Sequence, residues 1–538
     1  MSSGIGSEGG ARQGGGASGD GTPEAHAHGG EAAGRGRAYD ALIIGSGIGG
    51  LVCGGILAKE GLRVCVLEKN PQIGGALQTY ARNKVLFDAG VHYMGGLAPG
   101  QNLYQIFRYL GIMEELKLAK MDEEAFDKIL IGGDPKEYTF AQGYERFVEA
   151  LAKDFPNEEK GIRAYTDLIR EVCGRFPLYN LRAGGVYAEK TGVLDMDTKA
   201  TIEACVRDPV LREVLAGNNL LYAGQPDKTP FYVHALVLNS FIESSWKCTD
   251  GGGQLAKLLA NVIRERNGEI KTRAEVTHII AGGAQVEGVQ LKDGTTLKSN
   301  IVVSSLHPAQ TMQLTPAAAI KPAFRNRVES LENSISCFCV NLVLKPQRVH
   351  YVKHNYYYHN KGCAWTMDDY TEEDWPRGYA LFFAQNRNQS GYASSVTLMT
   401  YMRYADTTPW ADTRNTVAEA TERGQAYEAF KQDRYQRLMG RVTEKFPELR
   451  EAVDHWYAST PLTFRDYLGT SDGSLYGIAK DYRDPVRTII PARTKVGGLF
   501  LTGQNLNLHG ILGAAISSLA TCAEVLGRDD FVGKIKSA

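Results

Sequence analysis

Residues 41–70, ALIIGSGIGGLVCGGILAKEGLRVCVLEKN, constrain the fold more than any other stretch, because glycines crowd the point where an apolar run gives way to helical spacing. Residues 39–44 are almost uninterrupted in apolar character, which predicts a parallel strand buried on both faces. Helical spacing follows over 48–59, and 63–67 predicts a second strand, so the segment reads as a βαβ unit. Gly45, Gly47 and Gly50, with Gly49 between them, sit where strand becomes helix. A tight turn there brings bare backbone N–H groups against a pyrophosphate at the positive end of the helix. Each interior glycine costs a helix about 1 kcal/mol relative to alanine, so Gly50, Gly54 and Gly55 predict packing too close for a Cβ. Glu68 closes the second strand, where a carboxylate accepts hydrogen bonds from ribose hydroxyls. Strand, turn, helix and acid agree on a dinucleotide site.

The chain continues PQIGGALQTYARNKVLFDAGVHYMGG, with Gly74-Gly75 six residues past Glu68. A nicotinamide-dependent dehydrogenase continues with further βα units. A glycine pair so soon after the ribose acid suits a backbone passing close to a longer, extended cofactor, which points to FAD, with Lys69 beside the acid among the expected contacts. The fold class expected is α/β: a Rossmann-type FAD-binding domain, like those of glutathione reductase and amine oxidases, carrying an inserted α+β substrate domain. Residues 39–102, 250–310 and 471–538 are read as a discontinuous FAD-binding domain, 103–249 as a helical cap and 311–470 as a substrate-binding insertion. Residues 1–38, small and polar, are read as a disordered tail in which His26 and His28 are solvated rather than metal-binding.

Bulk properties narrow the function. The 538 residues allow two or three domains, and 60 Lys plus Arg nearly balance 61 Asp plus Glu, which argues against nucleic acid as a partner. Nine cysteines without a Cys-x-x-Cys pair are read as reduced and mostly buried. No secretory signal and no uninterrupted apolar run long enough to span a bilayer are present, so the expected location is cytoplasmic, with a peripheral contact on the inner face of a membrane left open. Dispersed histidines without His-Glu-x-x-His give no metal site, and Ser304-Ser305 near His307 lack the Gly-x-Ser-x-Gly elbow of a hydrolase.

Taken together, Gly45, Gly47, Gly50 and Glu68, the Gly74-Gly75 pair, FDAGVHYMGG at 87–96, the segment 251–281 and the closing LFLTGQNLNLHG resemble the flavin-dependent family that includes bacterial phytoene desaturases, plant carotenoid isomerases and retinol saturases. The likeness runs over nearly all of the chain after residue 38. It implies adenine contact near Val276 and cofactor contact from the closing motif, Gly503 and Gln504, where Gln504 replaces the acid common in the wider family and looks closer to the saturase branch. A helix starting near Ile511, after Gly510, would point its positive end at the flavin pyrimidine, where charge collects on reduction.

Two histidines are candidates for catalysis. The resemblance places His92 beside the flavin ring, able to donate a proton to a carbanion-like carbon or to orient the ring; His509 precedes the last helix; for each, a hydrogen-bonded structural role is the competing reading. Tyr356, Tyr357 and Tyr358 read as slot-lining residues or as plain sheet surface, and His307-Pro308 as a turn. Ile162, Tyr165, Leu168, Ile169, Val172 and Phe176 share a helix face that suits packing inside the cap or, less well, a membrane surface. The expected activity is saturation of a C=C bond in a lipophilic isoprenoid or polyene, by hydride from flavin N5 plus protonation. A desaturase, a cis–trans isomerase, an amine or porphyrinogen oxidase, and a non-catalytic lipid-binding escort protein of the same fold are the alternatives. A second Gly-x-Gly-x-x-Gly after a strand is missing, so a separate electron donor or acceptor is expected.

Overall fold

A computed structural model describes residues 39–385 and 391–538. The tail expected over 1–38, with His26 and His28, lies outside the described residues.

Five parallel strands form the nucleotide sheet in the order Glu269–Lys271, Val64–Leu67, Ala41–Ile44, Val302–Ser304, Leu499–Leu501. Alternation across its two faces explains the apolar runs. Ala41, Ile43, Val64 and Val66 pack against the helices Ile48–Lys59, Gly253–Glu265 and Gly510–Leu526. Leu42, Ile44, Cys65 and Leu67 pack against an antiparallel three-stranded meander, Val276–Gly282, Gln285–Leu291 and Thr296–Lys298. Both faces are covered, so a strand with one polar side would strand that side without water. The meander turns at Asp293-Gly294, where Asp293 accepts from the Thr295 N–H at 2.9 Å and Gly294 takes φ +87°. Inside the first helix, a Cβ on Gly54 would lie 2.9 Å from Ile263 Cδ1 and 3.0 Å from Ile43 Cδ1, which is the close packing the sequence predicts.

A second sheet of seven strands runs in the order Val453–Ser459, Ser336–Leu344, Ser395–Met402, Gly378–Ala384, Asn355–His359, Asp127–Ile131, Glu137–Phe140. Its last two strands come from the stretch 103–249, whose helices include Tyr144–Asp154, Glu159–Gly174 and Phe231–Glu243. Asn355–His359 and Asp127–Ile131 pair in parallel; the other neighbours are antiparallel. One face carries Cys337, Cys339, Tyr357, Phe382 and Met399 toward those helices, and the other buries Tyr356, Tyr358 and Leu398 with the helix Gly424–Lys445. The three tyrosines are therefore core on both sides rather than sheet surface.

The helix Glu159–Gly174 settles one alternative. Ile162, Tyr165, Ile169 and Val172 are fully buried against Phe231–Glu243, and the Tyr165 hydroxyl pairs with the His234 ring. Leu168 and Phe176 are partly buried against the same core, so most of that face is spent inside the protein. Among the described residues, no helix is long and apolar enough to cross a membrane.

Candidate active site

One cavity of about 960 Å³ opens between the carboxyl ends of the nucleotide strands and the second sheet. Gly45, Gly47, Gly49, Glu68, Lys69, Gly74, Gly75, Val276, Gly503, Gln504, Gly510 and Ile511 all line it, as do His92 and His509. Gly50 alone of the expected set stands behind the wall, and a Cβ there would lie 2.1 Å from the Gly45 carbonyl oxygen. Two neighbouring glycines have different reasons to be glycine. At Gly49 a Cβ would come within 2.6 Å of Gly503 Cα, so first helix and closing loop touch backbone to backbone. At Gly47 a Cβ would meet no atom within 4 Å, because it would project into the cavity itself, in the space that a phosphate needs.

Glu68 is buried and already organised. Its Oε2 accepts from the Ser46 N–H at 3.1 Å and from the Ser46 hydroxyl at 2.5 Å, and its Oε1 accepts from the Asn70 N–H at 2.8 Å. A carboxylate has about four acceptor sites, so capacity remains for a ribose. The Ser46 hydroxyl also accepts from the Gly74 N–H at 3.1 Å, tying the phosphate turn to the second glycine pair. Ser46 sits inside the fingerprint, where a serine between two glycines carries no signal of its own. The Ala274 N–H donates to the Glu68 carbonyl at 2.8 Å, which brings Val276 to the same end of the cavity. Lys69 donates to the Asp466 carbonyl at 3.1 Å, and burial holds its ammonium below the usual lysine range.

The closing segment is pinned by a residue with no sequence signal. Lys480 is buried and gives its three protons to the carbonyls of Thr488 at 2.8 Å, Asn505 at 2.8 Å and Leu506 at 3.0 Å. The loop after Leu499–Leu501 is thereby fixed, Gln504 donates to the Leu475 carbonyl at 3.4 Å, and the last helix starts at Gly510 with its free N–H groups at the cavity. Asp88, in the FDAGVHYMGG segment, accepts from the Gly252 N–H at 2.6 Å at the start of Gly253–Glu265, and burial pushes its carboxyl up to about 7. A raised carboxyl contributes stability that is full below the ordinary range near pH 4 and is lost as pH rises through about 7. Urea unfolding of the wild type should weaken relative to Asp88→Asn between pH 5 and 9; parallel pH profiles would show that Asp88 stays ionised.

Three histidines line the cavity, and their partners separate them. His307 uses both ring nitrogens, Nδ1 accepting from the Ala309 N–H at 3.3 Å and Nε2 meeting Asn333 Oδ1 at 2.8 Å; instead of the expected turn, it caps the helix Pro308–Leu314. His509 donates Nε2–H to the Leu221 carbonyl at 3.2 Å and leans on Tyr476, centroids 4.6 Å apart. His92 instead stacks on Phe382, centroids 4.2 Å apart and planes within 8°, and opens on the cavity. Burial, then the charge of Lys247, lowers its imidazole to about 4. Lys247 is itself buried, donating to the Phe383 carbonyl at 3.1 Å. Beyond His92 the wall turns apolar, with Leu236, Phe241, Phe382, Met399, Phe464 and Leu508.

A glycine cradle around Gly47, a ribose acid, a helix N-terminus and an apolar extension fit FAD, and together with the fold they define an FAD-dependent oxidoreductase. Residues 43–110 match the NAD(P)-binding Rossmann-like domain family. The chain is 27% identical to human all-trans-retinol 13,14-reductase over 534 residues, 91% of this chain and 86% of that protein. It is 27% identical to the chloroplastic prolycopene isomerase of Daucus carota over 288 residues, 51% of this chain and 46% of that one. Cyclohexylamine oxidase from Brevibacterium oxydans shares the fold, with a TM-score of 0.57 at 14% identity over 91% of this chain and 100% of that one. The chain is thus similar over most of its length to all-trans-retinol 13,14-reductases, and over about half of it to prolycopene isomerases.

Proposed function

We propose that this protein acts on a carbon–carbon double bond of a lipophilic polyene and saturates it. The observation that carries the reading is a single cavity, glycine-lined and polar at the Glu68 end and apolar past His92. In this reading 39–102, 250–310 and 471–538 form the cofactor part, with 103–249 and 311–470 building the apolar slot. Gly45, Gly47, Gly49, Gly74 and Gly75 would admit the pyrophosphate, Glu68 the ribose, Val276 the adenine, and Gly503, Gln504, Gly510 and Ile511 the flavin end. Bound FAD supplies hydride chemistry that no side chain offers. The protein's own part is to exclude water, to hold a flat apolar chain between Phe382 and the helix carrying Leu236, and to deliver a proton from the His92 ring. A separate donor of electrons completes the cycle.

With an imidazole lowered to about 4, His92 is neutral at pH 7 and a strong acid in the small fraction that is protonated. A step that uses this proton should quicken about tenfold per pH unit as pH falls, levelling below about 4. Single-turnover rates of the reduced enzyme should show that slope in the wild type and a flat profile in His92→Gln; a slope retained in the variant removes His92 from the reaction. The reading itself is tested by the visible spectrum of the purified protein, reduced anaerobically and mixed with retinoids and carotenoids. Reoxidation of the flavin by a polyene supports saturation. Bleaching of oxidised flavin by a more saturated substrate means desaturation, and a geometric isomer without net redox change means isomerisation.

A further inference from the structure

Two pairs of thiols lie almost equally close. Cys337 and Cys339, alternate residues on one face of Ser336–Leu344, have their Sγ atoms 3.5 Å apart. Cys53 and Cys522 join the first and last nucleotide-domain helices with Sγ atoms 3.6 Å apart. All nine cysteines are free. The pairs differ in what they face. Cys339 is on the cavity wall beside its strand neighbour Met399, with Cys337 behind it, whereas Cys53 and Cys522 are fully buried away from it.

We propose that Cys337 and Cys339 form a bidentate thiol site in the wall of the slot, which takes a trivalent organoarsenical. Their sulfurs are close enough for one pyramidal arsenic atom to bridge without moving the strand. The condensation is R–As(OH)₂ with two thiols to give R–As(SR)₂ and two waters. Two As–S bonds form, two As–O bonds break, each thiol proton leaves with a hydroxide, and arsenic stays trivalent, so no oxidant or reductant is needed. Burial pushes the Cys337 thiol upward, and the reaction runs from the neutral thiol, its proton going to the departing hydroxide. The organic group extends into the apolar space lined by Phe382, Met399 and Phe464. The second bond makes the complex a chelate, which a monothiol must break twice and a dithiol exchanges in one encounter.

The test uses the full reduced chain and phenylarsine oxide. Native mass spectrometry should show one arsenical per chain, and peptide mapping should place it on 337 and 339. Stripping the adduct should need at least 100-fold more monothiol for the wild type than for Cys337→Ala, while Cys339→Ala gives no adduct and Cys522→Ala behaves as wild type. Adduct on Cys53 and Cys522, no adduct on the folded chain, or equal ease of stripping from wild type and Cys337→Ala overturns the proposal. Mapping on the wild type stands even where a variant fails to fold. The placement of the substrate rests on the function proposed above and is read separately: retinol should slow labelling. Labelling at 337 and 339 that retinol leaves unchanged upholds the thiol site and counts against the polyene slot.

Discussion

Gly47→Asp should yield a folded protein that does not retain flavin. A Cβ at this position meets no atom within 4 Å, so the new side chain enters the cavity without disturbing the core. It then occupies the space where the backbone N–H groups face a pyrophosphate, and it brings a negative charge. Losing two hydrogen bonds to a charged group costs about 3–6 kcal/mol, which corresponds to affinity weaker by about 10³-fold. Absorbance at flavin wavelengths per protein should fall to background while circular dichroism and unfolding midpoint stay those of apoprotein. Gly49→Val is the contrasting variant: a Cβ only 2.6 Å from Gly503 Cα has nowhere to go, so this one should lose stability before it loses flavin. Equal flavin content in Gly47→Asp and wild type would mean that the phosphates lie elsewhere.

Asp466→Ala should be among the most damaging single changes outside the cofactor cradle. The Asp466 side chain is fully buried and answers two guanidiniums, Arg465 at 2.7 Å and Arg423 at 2.5 Å, while also accepting from the Asn415 N–H at 2.9 Å. Removing the carboxylate leaves two cations in a dry site, a change that typically costs 3–5 kcal/mol. Arg465 also donates to the Ala411 carbonyl at 2.5 Å, and Arg423 to the Thr413 hydroxyl at 2.9 Å, so the same carboxylate fastens both ends of the loop 411–423. Arg414 and Glu419 of that loop line the cofactor cavity. Thermal inactivation should therefore be faster, and flavin release should accelerate in parallel. An inactivation rate within twofold of wild type would show that the loop is held by its packing instead.

What could be read from the sequence, and what could not, follows from the range over which each feature is determined. The βαβ unit is local: the expected helix over 48–59 is Ile48–Lys59 in the structure, because the turn chemistry and the apolar spacing both lie within thirty residues. The glycines that line the cavity were legible for the same reason. Phe382 and Asp466 were not, since each acquires its meaning from partners far along the chain, His92 for the phenylalanine and Lys69 for the aspartate; Lys480 was not, because its nearby partners are backbone carbonyls, which every residue carries. The strand Asp127–Ile131, DKILI, is too short, with only three apolar residues in a row, for period alone to set it apart from the helices around it. The sequence offered both histidines as catalytic candidates, and their partners separate them: the Leu221 carbonyl and Tyr476 for His509, the Phe382 ring for His92.

The contact of Gly49 with Gly503 also bears on how the protein is made. The Ser518 hydroxyl donates to the Gly49 carbonyl at 2.9 Å, and Leu499–Leu501 supplies the edge strand beside Val302–Ser304, so the cradle encoded in the first seventy residues is finished by the last forty. During synthesis the amino-terminal glycine turn leaves the ribosome long before its partner exists, and contacts spanning more than 450 residues close late. Until the closing segment has emerged, the amino-terminal half of the cradle stands without its edge strand and its last helix. Flavin retained by a preparation then requires the closing strand and helix to be in place, since a fragment ending before Leu499 lacks half of the cradle.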